Sequence, residues 1–118
     1  VGVGRLGRAI LSYPGFGPEG FDIVAAFDAD PRQVGQMVGG IMVQPMHRME
    51  EVLDEFGIQI AIVAVPVAQV QEVFSQLVGC GVGAIVNYAP TNPQVPHNVR
   101  VRNIDPVLAL QSMTFYLS

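Results

Sequence analysis

Three glycines near the start of the chain, Gly2, Gly4 and Gly7, stand at G-x-G-x-x-G spacing, with Arg5 and Leu6 before the third. Each position has a physical task if the loop holds a pyrophosphate. Gly2 permits a tight turn. Gly4 lets the backbone approach the anion with no Cβ in the way. Gly7 lets a helix pack closely on a strand. The helix that follows offers free N–H donors and a partial positive charge. Helix-end electrostatics are worth only about 0.3–1 kcal/mol at a surface, so the N–H bonds must supply much of the rest. Asp28 lies 21 residues beyond Gly7, the spacing of an acid that accepts from both ribose hydroxyls. A 2′-phosphate would meet that carboxylate, so the pattern favours NAD(H) over NADP(H). Arg32, close by, works against that preference. The glycine spacing is a weak signal by itself in a chain with 13 glycines; Asp28 and the surrounding order of elements strengthen it.

In open parallel sheets, ligands sit at the carboxyl ends of the strands. Two further segments fall there: Val65-Pro66, and Asn87-Tyr88-Ala89-Pro90. Asn87 is suited to bond a ribose or a carboxamide, and Tyr88 to pack on a ring. Turn chemistry explains Asn and Pro here equally well. No metal-ligating cluster is expected, because His47 and His97 are far apart and neither has ligand-like neighbours. No nucleophile-base pair suggests itself, and there is no Lys to serve as a general base. His97 reads as an exposed loop residue. Cys80 sits in a Gly79-Cys80-Gly81 turn and reads as a packed residue rather than a reactive thiol.

The elements that must position these residues alternate. Val1–Val3 reads as the tail of a first strand. Arg5 to Tyr13 carries Leu6, Ala9, Ile10 and Tyr13 at helical spacing. Residues 14–18 break the pattern with Pro and Gly. Phe21 to Phe27 is a β-rich run, and Asp30-Pro31 opens a turn or helical step. Ile41–Val43 is a short strand. Arg48 to Phe56 is an amphipathic helix. Ile58 to Val65 is nearly all apolar, as a strand covered on both faces must be. Val67 to Val78 is a helix ended by Gly79 and Gly81. Ala84–Val86 and Val99–Val101 are strands, and Asp105 to Phe115 closes with a helix. Such alternation specifies an α/β fold: a Rossmann-type, doubly wound, mainly parallel sheet in one domain spanning residues 1–118.

Half the residues are hydrophobic and 14% are charged, which excludes disorder as the dominant state. A chain this long buries roughly two thirds of its unfolded surface. Net charge is −4, so the domain lacks the basic face that neutralises nucleic-acid phosphates. The apolar runs are too short to cross a bilayer, so no membrane partner is expected. A single cysteine excludes an internal disulfide and fits a cytoplasmic protein. With Val1 first and the glycine loop opening at once, the sequence reads as a piece of a longer chain.

Taken together, several segments resemble the Rex family of redox-sensing transcriptional repressors. They are Gly2 through Ala9, Tyr13 with Gly15-Phe16, Phe27-Asp28-Ala29-Asp30-Pro31, Val65-Pro66, and Asn87-Tyr88-Ala89-Pro90. Val95-Pro96, Val99 through Asp105, and Ser112 through Leu117 follow in the same order. Tyr88 stands where the family more usually has Phe. The resemblance implies the NAD(H)-binding domain of a homodimer. It implies that NADH releases the repressor from operator DNA while NAD⁺ competes for the site. The winged-helix DNA-binding domain and a C-terminal helix exchanged between subunits would lie outside this sequence. It further implies that Tyr13 and Asp105 form a redox-dependent link near the nicotinamide, with Phe16 among the redox-signalling residues and Arg5 in an interdomain network. The residues themselves also allow plainer roles. Tyr13 can pack on Phe16, Asp105 can cap the last helix, and Arg5 can be solvated.

Two other readings share the outline. One is the cofactor half of an NAD-dependent oxidoreductase. The other is a CoA-binding domain, in which Asp28 loses its ribose-diol role. A sensor reading accounts best for dinucleotide binding without an acid/base group, and for an acidic domain in a DNA-binding protein.

Overall fold

In the computed structural model, which describes residues 1–104, two three-stranded sheets meet across the opening segment Val1–Val3. One sheet has the order β1 (Ala26–Asp28), β3 (Ile41–Pro45), β2 (Met37–Val38). The other runs β4 (Ile60–Val63), β5 (Ala84–Asn87), β6 (Arg100–Asn103). Gly2 N–H donates to Phe27 O at 2.8 Å, Val1 N–H to Ile62 O, and Ala64 N–H to Val1 O at 2.8 Å. The opening segment therefore lies between β1 and β4 and joins the halves. Across the molecule the order is β2, β3, β1, opening segment, β4, β5, β6. All the strand pairs are parallel except the β2–β3 hairpin. The chain order reverses at the opening segment, which makes it the topological switch point of a doubly wound sheet.

Helices cover both faces. On β1, Ala26 joins a small core with Val3, Val38 and Val43 beneath α1 (Arg5–Ser12). Phe27 faces the other way. It enters the main core with α2 (Met49–Phe56), α3 (Val70–Gly79) and the inward residues Val63 and Ile85. That opposition follows from the two-residue period of a strand. Gly57 ends α2 with φ of 60°, and Ile58 N–H closes back on Leu53 O at 3.1 Å.

Several boundaries differ from the sequence expectation. The Phe21–Phe27 run has strand composition throughout, but only its end pairs. β3 begins at Ile41, which the register sets level with Val24, so residues 21–23 would run past their partner, and Phe21 and Val24 lie exposed. The expected strand Ile58–Val65 is confined to Ile60–Val63. Single 3₁₀ turns precede α2 and α3, so the helices begin at Met49 and Val70. The β2 strand is an addition to the expected elements. Gly39 and Gly40 turn its hairpin at φ of 58° and 80°. A Cβ on Gly39 would meet Leu11 O, which is how the hairpin seats against α1. The expected helix from Asp105 to Phe115, and Asp105 itself, lie outside the described residues.

Candidate functional site

The glycine loop follows the division of labour its spacing implies. Gly2 has φ of +93°, and a Cβ there would lie 2.4 Å from Ala64 O. A Cβ on Gly7 would lie 2.0 Å from Gly2 O. Both positions are closed to any side chain. Gly4 meets nothing within 4 Å and faces solvent. The first two contacts build the turn; the third leaves the backbone approachable. Arg8 N–H bonds Gly4 O at 2.9 Å, and the N–H groups of Arg5, Leu6 and Gly7 precede it without intrahelical acceptors. Arg5 and Leu6 are exposed at this helix end. The Arg8 guanidinium donates to Gln33 and Gln36, tying α1 to the turn after β1.

Asp28, at the end of β1, is half-buried and held from two sides. Its Oδ2 accepts from Val3 N–H at 2.7 Å and its Oδ1 from Asp30 N–H at 2.8 Å. The carboxylate is thus fixed against the glycine loop. Beside it opens a hollow of about 420 Å³, walled by Ala29, Pro31, Val34, Pro45, Met46 and His47. Its apolar walls with one carboxylate at the rim suit an adenosine. Pro45, Met46 and His47 carry no motif that marks them for the site. The available signal is that they follow β3, whose end lies beside β1. Arg32 is gripped by Asp30, with Nη2 to Oδ2 at 3.0 Å and Nε to both oxygens. The guanidinium holds the Asp30 carboxyl below the usual carboxylate range.

On the other side of the switch point, Val65 is buried and Pro66 exposed after β4. β5 ends at Asn87, which pairs in register with Val63, and Tyr88 N–H bonds Val63 O at 2.9 Å. Tyr88 is half-buried, Ala89 buried and Pro90 exposed. The Asn87 side chain is fully buried, and its amide is occupied by Ala89, Thr91 and Asn103. It shapes this loop from within and offers nothing to a ribose or carboxamide.

Tyr13 and Phe16 form an edge-to-face pair with ring centroids 5.0 Å apart, and Gly15 lies against the Tyr13 ring. Tyr13 is nonetheless 58% exposed, so its hydroxyl stays available. A larger hollow of about 780 Å³ adjoins this pair and runs over Phe21, Phe56, Ile60 and Ile62. Its walls are mainly apolar and include Gly2, Val3 and Gly7 of the glycine loop, but neither Asp28 nor the 87–90 loop. His97 is exposed, and no metal-ligating group of three occurs among the described residues. No described helix is long and apolar enough to cross a membrane.

Comparison with known proteins agrees with this architecture. A family described as "CoA binding domain" matches residues 1–91. A protein of Chloroflexus aggregans named "Redox-sensing transcriptional repressor Rex" is 50% identical over all 118 residues, which span 56% of that protein. The protein of that name from Streptomyces coelicolor is 40% identical over 116 residues, 98% of this chain and 45% of the relative. The chain thus spans about half the length of these relatives. Among solved structures, RSP, described as a Rex-family repressor, superposes with a TM-score of 0.93 at 30% identity. The match covers 98% of this chain and 56% of that one. RSP has been solved with β-NADH, at the same TM-score, and with β-NAD⁺ and operator DNA, at 0.90.

Proposed function

The chain belongs to the CoA binding domain family, a Rossmann-type fold, and from that premise we propose that it is the NAD(H)-sensing domain of a redox-responsive transcriptional repressor of the Rex type. One observation carries the reading. Asp28 is fixed against the glycine loop at the rim of an adenosine-sized hollow, in a chain that matches Rex repressors along its full length. The relatives' names support a regulator rather than an enzyme.

Within this reading the pyrophosphate lies over Gly4 and the N–H groups of Arg5, Leu6 and Gly7. The adenosine ribose bonds Asp28. The nicotinamide extends across the switch point toward Val65-Pro66 and Tyr88-Ala89-Pro90. Tyr13, Phe16 and Asp105 sense its redox state, and Arg5 passes the signal on. Oxidised and reduced nicotinamide differ by one charge and in ring shape, so a carboxylate and a phenol nearby can respond to the difference. In the full-length protein, operator DNA is bound by a separate winged-helix domain, in a cytoplasmic homodimer.

Switching requires differential affinity. Moving a two-state equilibrium from 1:99 to 99:1 takes about 5.5 kcal/mol, more than one hydrogen bond supplies. NADH therefore acts by closing the two subunits together and repositioning the DNA-binding domains. Solution scattering of the full-length dimer checks this: an NADH-independent envelope would sink it.

Calorimetry with NADH, NAD⁺, NADPH and CoA tests the domain itself. The expected order is NADH tightest, NAD⁺ weaker, and CoA weakest. A preference for CoA overturns the proposal and restores the reading its family description suggests. Steady oxidation of NADH by a small carbonyl substrate would favour the oxidoreductase.

A further inference from the structure

Asn87 is the one fully buried polar residue of the described core. A buried amide is costly unless its donors and acceptor are met, so its partners reveal its task. Register sets Val63, Asn87 and Asn103 side by side at the carboxyl ends of β4, β5 and β6. Asn87 Oδ1 accepts from Ala89 N–H at 3.0 Å. The two hydrogens of its Nδ2 are shared among Ala89 O at 3.1 Å, Thr91 O at 3.2 Å and Asn103 Oδ1 at 3.0 Å. Asn103 Nδ2 in turn donates to Asn92 Oδ1 at 3.0 Å. Every one of these bonds ends on the loop after β5 or on its neighbour strand. Backbone bonds brace the same region, from Thr91 N–H to Ala89 O and from Ile104 N–H to Asn87 O, each 2.8 Å.

We infer that the Asn87–Asn103 amide pair positions the 88–92 loop for the nicotinamide half of the cofactor, and that neither residue touches the ligand. The inference rests on the dinucleotide reading above. The loop lies on the β4–β5 side of the switch point, opposite Asp28 and its hollow. An adenosine bound at Asp28 therefore places the other half of the dinucleotide toward this loop. A loop pre-set by internal bonds loses less freedom on binding than one the ligand must order. Asn103 is the accessible handle on the network, because it is exposed and stands on the outer strand of its sheet among the described residues. Its Oδ1 orients the Asn87 amide, and its Nδ2 reaches the far side of the loop.

The test compares two ligands on the full chain: NADH, which reaches both halves of the site, and ADP-ribose, which lacks the nicotinamide. Asn103→Leu keeps the bulk and removes the bonds. It should weaken NADH by about tenfold, the scale of one lost hydrogen bond, while ADP-ribose changes by less than about twofold. Asn103→Asp retains the acceptor for the Asn87 amide and gives up only the donation to Asn92, so it should weaken NADH less than Asn103→Leu does. Thermal melting confirms that both variants fold. Equal losses for the two ligands, or an unchanged NADH affinity in Asn103→Leu, overturn the positioning role and leave the dinucleotide reading standing. A parent chain that binds neither ligand overturns both.

Discussion

Asp28 Oδ2 accepts the backbone N–H of Val3 at 2.7 Å, so the acid at the end of β1 is bonded to the middle of the glycine loop. One carboxylate thereby serves two purposes. It holds the loop in shape, and it stands at the rim of the hollow proposed for the adenosine. Ligand and fold compete for few of its lone pairs, because a carboxylate has about four acceptor sites and the backbone uses two.

Removing that carboxylate should therefore cost stability as well as affinity. Asp28→Ala leaves the N–H groups of Val3 and Asp30 without their acceptor. The expected loss is about 2 kcal/mol, roughly 10 °C in melting temperature for a domain of this size. Asp28→Asn keeps one acceptor and should lose about half as much. A calorimetric melt of the ligand-free chain decides; unchanged melting in Asp28→Ala would show that the bond to Val3 contributes nothing.

The glycines should separate by role. Gly7→Ala drives a Cβ into Gly2 O and should destabilise the fold by about 1–3 kcal/mol, as overpacking does. Gly4→Ala meets nothing in the protein. It should melt within about 0.5 kcal/mol of the parent, as a surface substitution does, yet bind NADH at least about tenfold more weakly, a difference of about 1.4 kcal/mol. Equal NADH affinity in Gly4→Ala would remove the pyrophosphate from this loop.

Arg32 bears on cofactor choice. Its guanidinium is held by Asp30 but is otherwise exposed. Asp30→Asn keeps an acceptor for the Arg32 N–H and releases the side chain toward a 2′-phosphate. Exposed ion pairs are worth up to about 1 kcal/mol, so NADPH affinity should rise by no more than about fivefold while NADH changes little. Titration of both cofactors by fluorescence checks it. A fall in NADPH affinity would mean that Asp30 positions Arg32 productively.

Cys80 should react slowly. Burial pushes its thiol up, and the charges of Glu50 and Asp54 push it further. Less thiolate at neutral pH means slower alkylation. Iodoacetamide should modify Cys80 more slowly than a small unstructured thiol at pH 7.5, with the gap narrowing as pH rises. Faster modification than the small thiol would reveal an activating environment that the structure does not contain.

Much of the site is legible in the residues because backbone constraints write themselves into local sequence. Glycine is required where a Cβ cannot fit, so the spacing of Gly2 and Gly7 already marks a turn and a close packing contact. The 21-residue spacing to Asp28 reports one strand-helix-strand unit, whose length is set by the width of a helix on a sheet. Apolar periodicity locates α2, α3, β4 and β5 for the same reason. What stays hidden depends on partners distant in sequence. Residues 21–23 have strand composition but lie beyond the start of β3, and only register reveals that. Val3 meets Asp28 across 25 residues, and Asn103 meets Asn87 across 16. His47 reaches the hollow because β3 happens to lie next to β1. The doubly wound fold and the glycine loop follow from local sterics and short-range patterning, so the chain's own residues suffice to specify them. That Asn87 is spent inside the protein, and that Asp28 braces the loop, emerges only once the chain is folded. Both outcomes turn on which hydrogen-bond partners the sheet order brings within reach.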